Sequence, residues 1–95
     1  MKVRGSKNVF RDLGFGAEEA ENLRIRSALM IVLTEHITRA GMTQKDAAEN
    51  LGVSQPRVSD PMRGKIDVFS IDTLIVMLSR IGIKTSIRVG KRKVA

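Results

Sequence analysis

The side chains able to do chemistry in this 95-residue chain are mainly cations, and they are unevenly spread. Lys2, Arg4, Lys7 and Arg11 give residues 1–11 a charge of +4 with no acid. Residues 12–53 hold four basic and seven acidic side chains, −3, and residues 54–95 hold nine basic and three acidic, +6. Lys and Arg at that density release counterions when they meet phosphates, so a polyanion is the natural partner. A solvated basic surface is the other reading of charge alone. Catalysis has less to draw on. There is no cysteine, hence no disulfide framework, thiolate metal site or cysteine nucleophile. His36 is the only histidine, with no carboxylate–cysteine set near it in the sequence, and is expected at the surface or an interface. No phosphate-cradling glycine loop and no cluster with metal-ligand spacing occurs, so no enzyme activity, cofactor or metal is expected. Three Phe without Trp or Tyr argue against a single-strand binder that stacks bases.

The elements that must position these groups fit one small domain over residues 1–95. The basic N-terminus lacks the apolar core of a signal peptide, and the longest apolar run, residues 28–33, is far below the roughly 20 residues of a membrane span. A soluble cytoplasmic protein without membrane contact is the expectation. Residues 1–16 read as an ordered arm in which Val9, Phe10, Leu13 and Phe15 pack back on the domain. Residues 17–82 read as the helical core. A first helix starts near Ala17, with Glu18, Glu19 and Glu21 on the positive end of its dipole. Leu23, Ser27, Met30, Ile31, Thr34 and Ile37 form one stripe at helical spacing, and Ile25, Ala28, Leu29 and Val32 a second, so the helix is expected to touch both the core and a second subunit. Gly41 ends it.

Thr43 then caps a short helix over residues 44–51, with Asp46 at the capping-box position, and Gly52 stops it. Ser54 caps the next, with Val53 and Val58 as staple. Ser70 caps a fourth, with Phe69 and Leu74 as staple and a buried stripe of Ile71, Leu74, Ile75, Leu78 and Ile81 before Gly82. Met30, Met42, Met62 and Met77 are expected as core filler. Residues 83–89 alternate apolar and polar as a one-faced strand does, followed by the solvated basic tail of residues 91–93. A lone strand is marginal, so it needs the arm, its copy in a dimer or another protein as partner.

Residues 44–61, QKDAAENLGVSQPRVSDP, form the informative unit. Ala48 is small where two short helices must cross, Gly52 can take the positive φ of the tight turn, and Leu51, Val53 and Val58 face inward. That is the helix-turn-helix pattern. On Gly41, Thr43-Gln44, Ala47-Ala48, Leu51-Gly52-Val53-Ser54, Val58-Ser59, Gly64-Lys65 and the Leu-rich helix ending at Gly82, residues 27–82 resemble the Xre (lambda-repressor-like) helix-turn-helix family. The segments GSKNVFRDLGF and EAENLRIRSALM resemble its small stand-alone members of the HigA antitoxin type. The chain departs from the family pattern at Pro61, where an aliphatic core residue is common, and at Met62, where a glutamate is common.

The resemblance implies a mainly α fold: a four- to five-helix lambda-repressor-like domain with an N-terminal arm and a short C-terminal β-strand. It implies that the helix after Ser54 enters the major groove and that the helix from Gln44 lies across it. The implied DNA-facing set is Thr43, Gln44, Ser54, Gln55, Pro56, Arg57, Ser59, Asp60, Arg63 and Lys65. Gln55 would read a base edge, adenine being the natural match for its paired donor and acceptor. Gln44 would hold phosphate or brace the recognition helix. Ser59 would touch base or phosphate, and Asp60 would accept from a cytosine amine or pair with a basic neighbour. Arg57, Arg63 and Lys65 suit phosphates, with Arg57 on guanine as the alternative. The implied function is a homodimeric repressor on a pseudo-palindromic operator, and in the antitoxin version it represses its own operon and binds a cognate toxin. A helix-turn-helix module reused for protein or RNA contact is the competing expectation. The two prolines sharpen the picture. Pro56, second in its helix, has no acceptor to lose, and leaves the Arg57 N–H as the Ser54 side chain's cap partner; Pro61 would lose a bond to the Arg57 carbonyl, so the helix is expected to end or kink near Asp60.

Overall fold

The structure, a computed structural model, describes residues 10, 13–62 and 69–91. Four helices follow one another: α1 (Ala17–Arg39), α2 (Gln44–Leu51), α3 (Gln55–Met62) and α4 (Ile71–Arg80). Their ends follow from local chemistry. Gly16 offers α1 no side-chain cap, but Glu18 and Glu19 sit in its first turn against the exposed N–H groups. Within α1 the Arg24 guanidinium pairs with Glu21, and Arg26 Nε donates to Asn22 Oδ1 at 2.6 Å. At its far end Gly41 takes φ +65° and Met42 N–H donates to the Ile37 carbonyl at 3.2 Å, the left-handed closure expected of that glycine. Ser70 Oγ accepts from Thr73 N–H at 3.3 Å to start α4, and Gly82 at φ +81° follows its end.

The core lies where α1 and α4 pack together and the α2–α3 pair closes over them. It is built from Leu29, Met30, Leu33 and Ile37 of α1, Ala47, Ala48 and Leu51 of α2, Val58 of α3, and Phe69, Leu74, Met77 and Leu78 at α4. Met30 and Met77 are core filler as expected, and Met42 packs against the cluster. The α1 register differs from the expected stripe. Leu33, outside both expected faces, is buried, whereas Ile31 is 53% exposed. Apolar residues are spread so widely around α1 that spacing alone leaves several faces equally apolar. The packing of α4 selects the one carrying Leu29, Met30, Leu33 and Ile37.

In the arm, Phe15 is exposed and stands outside the core cluster, so the expected packing of its side chain on the domain is not seen. Phe10 and Phe15 meet edge-to-face with centroids 6.2 Å apart, and Phe15 N–H donates to the Phe10 carbonyl at 3.1 Å. Leu13 points outward, and Val9 lies outside the described residues. After α4, Ile83 N–H donates to the Leu78 carbonyl at 2.9 Å and its side chain packs on the core. Beyond it no strand pairing occurs among the described residues 83–91 of the single chain, and Ile87 and Val89 stand in solvent. The alternating pattern is real, but a strand exists only in a ladder, and the folded chain offers this segment no edge among the described residues.

Candidate nucleic-acid interface

The candidate interface is built from α2, the turn at Gly52 and α3. The α2 start is fixed by a reciprocal capping box. Thr43 Oγ1 accepts from Asp46 N–H at 3.0 Å, and an Asp46 carboxylate oxygen accepts from Thr43 N–H at 3.4 Å. Asp46 is consumed by this role, which makes the helix start rigid and leaves Gln44 exposed in its first turn. The hydroxyl of Thr43 keeps its own proton free to donate outward. At the other end Gly52 adopts φ +71°, ψ +33°, and the N–H groups of Gly52 and Val53 both donate to the Ala48 carbonyl. Ala48 is buried in the core cluster that also holds Leu51 of α2 and Val58 of α3.

The α3 helix is anchored by Val58, which is 2% exposed, with Val53 packed on the same cluster. That anchoring turns Ser54, Gln55, Pro56 and Arg57 outward, all exposed, with Ser59 and Asp60 half-buried one turn further on. Gln55 and Ser59, and likewise Pro56 and Asp60, are four residues apart and therefore neighbours on the helix surface. Thr43, Gln44, Ser54, Gln55, Pro56 and Arg57 are thus all accessible at the starts of two adjoining helices. Arg63 and Lys65 lie outside the described residues.

Three features differ from the sequence reading. The Arg57 N–H donates to the Ser54 backbone carbonyl at 3.1 Å rather than to its side chain. With Pro56 lacking an N–H, the helix opens on a tight i→i+3 bond instead of a side-chain cap. Second, α3 continues through Pro61 to Met62 rather than ending near Asp60. The missing Pro61 N–H withdraws only the bond to the Arg57 carbonyl, and in a last turn a single lost bond is tolerated. Third, the Arg57 guanidinium lies 5.3 Å from the centroid of the buried Phe69 ring, a cation–π contact that ties α3 to the entry of α4. The cation expected on phosphate is therefore held in one orientation by the protein itself.

One residue at the interface escaped the sequence reading. Arg80, in the last turn of α4, donates from Nη1 to the carbonyl of Leu51 at 2.8 Å, and its guanidinium covers Gly52. Twenty-nine residues separate the partners, so no local pattern could have shown it. Among the described residues no group of three or more His, Asp or Glu side chains is arranged to hold a metal, and no helix is long and apolar enough to cross a membrane.

No curated protein matches this chain. A family model described as a helix-turn-helix domain matches residues 9–90, most of the chain, including α1–α4. With two short helices joined at a left-handed glycine, and their polar first turns free at the surface, this chain belongs to that helix-turn-helix domain family.

Proposed function

We propose that this protein is a sequence-specific double-stranded DNA-binding transcriptional repressor, its DNA-binding domain formed by residues 1–95. The observation that carries the reading is the α2–Gly52–α3 unit. Its buried side is locked by Ala48, Leu51 and Val58, and its outer side presents Gln44, Ser54, Gln55 and Arg57 exposed to solvent. In this family architecture the second helix lies in the major groove and its first residues meet base edges. Gln55 is the base reader, with its amide matched to adenine. Thr43, Gln44, Ser54, Ser59 and Arg57 position the backbone, together with Arg63 and Lys65, while Pro56 adds a rigid surface without a donor beside Gln55. Asp60 accepts from a cytosine amine or a basic neighbour. The +6 charge of residues 54–95 supplies the sequence-independent attraction.

The protein acts as a homodimer, because one module meets only a few base pairs and two copies read half-sites about one helical turn apart. In its sharper form it is the antitoxin of a toxin–antitoxin operon that it represses. The exposed Ile87 and Val89 on an alternating segment support a protein contact of this kind. The test is binding to the duplex upstream of the protein's own gene and to a random duplex across a salt series. A preference of about 1,000-fold or more for the upstream duplex is expected. Equal affinity for both, or binding to RNA alone, would replace this reading by a protein- or RNA-contact module.

A further inference from the structure

We propose that Arg80 is a positioning residue for DNA reading: it latches the α2–α3 turn to the rigid end of α4 and so sets the angle at which α3 is presented. This rests on the DNA-binding reading above. The side-chain hydrogen bonds described within α1, α2 and α4 and at their caps span four residues or fewer, whereas the Arg80–Leu51 bond reaches from one helix to another. Its acceptor is chosen by physics. Leu51 is the last residue of α2, so its carbonyl has no partner within the helix and lies at the negative end of the dipole, where a cation is favoured. Arg80 is itself held in place, because Leu74, Met77 and Leu78 of the same helix are buried.

Gly52 is fitted to the latch as well as to the turn. A Cβ there would overlap Nη1 of Arg80, so glycine leaves room for the guanidinium in addition to taking a φ of +71°. The α4 element therefore grips the helix-turn-helix unit twice. Arg80 holds the turn before α3, and Phe69, just ahead of α4, holds Arg57 in the first turn of α3. Between these two points lie Ser54, Gln55 and Pro56. A helix fixed at both sides of its reading residues enters a groove with one orientation, and a small misplacement at a docking surface is enough to lose discrimination.

Arg80 is exposed, so direct phosphate contact is the rival role, and the two separate cleanly. The variants are Arg80→Met, which keeps the aliphatic stem and removes the donors, Gly52→Ala, and the double substitution. Amide exchange of Gly52 and Val53 in the free protein is measured together with binding to the upstream and random duplexes over a salt series. For Arg80→Met the latch predicts faster exchange at those two amides by about tenfold, with the buried α1 and α4 amides unchanged. It also predicts a preference for the upstream duplex reduced by about tenfold and an unchanged salt slope on random DNA. Because Gly52→Ala ejects the guanidinium, adding Arg80→Met to it should change neither exchange nor preference further. Wild-type exchange in Arg80→Met would overturn the latch. So would equal loss on both duplexes with the salt slope flatter by about one unit per bound copy, the mark of a phosphate contact. If the wild-type protein itself shows no preference between duplexes, the DNA reading fails and the latch is decided by amide exchange alone.

Discussion

Two glutamines open the two short helices of this protein, and the surrounding residues leave each free for a different task. Gln44 follows a threonine and precedes an aspartate that are locked to each other in the capping box. Gln55 precedes Pro56, which has no N–H, so one backbone donor fewer stands beside its amide. Gln55→Ala is expected to cost about 1–3 kcal/mol of binding and to relax discrimination at one base position, measured by competition against operators substituted base by base. Uniform loss on specific and random duplexes would remove Gln55 from the reading role. Arg63→Ala provides the contrast: all sequences weaken alike and the salt slope flattens by about one unit per bound copy, about two for the dimer. At Thr43 the cap itself can be tested. Thr43→Ala loses the cap and about 1 kcal/mol of unfolding free energy, whereas Thr43→Ser keeps both cap and hydroxyl and should hold wild-type values in chemical denaturation.

At the scale of elements, the helix ends were the most legible part of the sequence because capping is local chemistry. Thr43 with Asp46, Ser70, and the left-handed glycines 41, 52 and 82 all act within a few residues of where they stand. The buried face of α1 was less legible. Apolar residues surround that helix, and the choice of Leu33 over Ile31 is made by α4, more than thirty residues further on. Leu33→Ala should therefore destabilise by about 2–5 kcal/mol, and Ile31→Ala by well under half of that, in the same denaturant titration. The end of α3 at Met62, past the Asp60 expected from Pro61, has a local cause: so near the helix end, Pro61 withdraws a single bond. Among the candidate site residues, Thr43 and Gln44 could be placed from their cap, whereas the backbone-bonded start of α3, the Arg57–Phe69 contact and the Arg80 latch left no trace in spacing.

At the scale of the whole molecule, charge and oligomeric state meet in one measurable quantity. Every duplex phosphate neutralised by a protein cation contributes roughly −0.9 to the slope of log affinity against log salt. One copy offers Arg57, Arg63 and Lys65 as its proposed phosphate partners, which alone gives a slope of roughly −3. Two copies on adjacent half-sites double the set, and the slope becomes roughly −5 to −6. The same preparation should scatter light as twice the 10.5 kDa chain mass, and the DNA footprint should span two half-sites about one helical turn apart. The exposed Ile87 and Val89 make the outcome informative in either direction. If the slope and the mass both report one copy, the dimeric repressor is lost, and those side chains are left for a different protein. If both report two, Arg57→Ala in the dimer should remove about two units of slope at once, because each substitution is made twice.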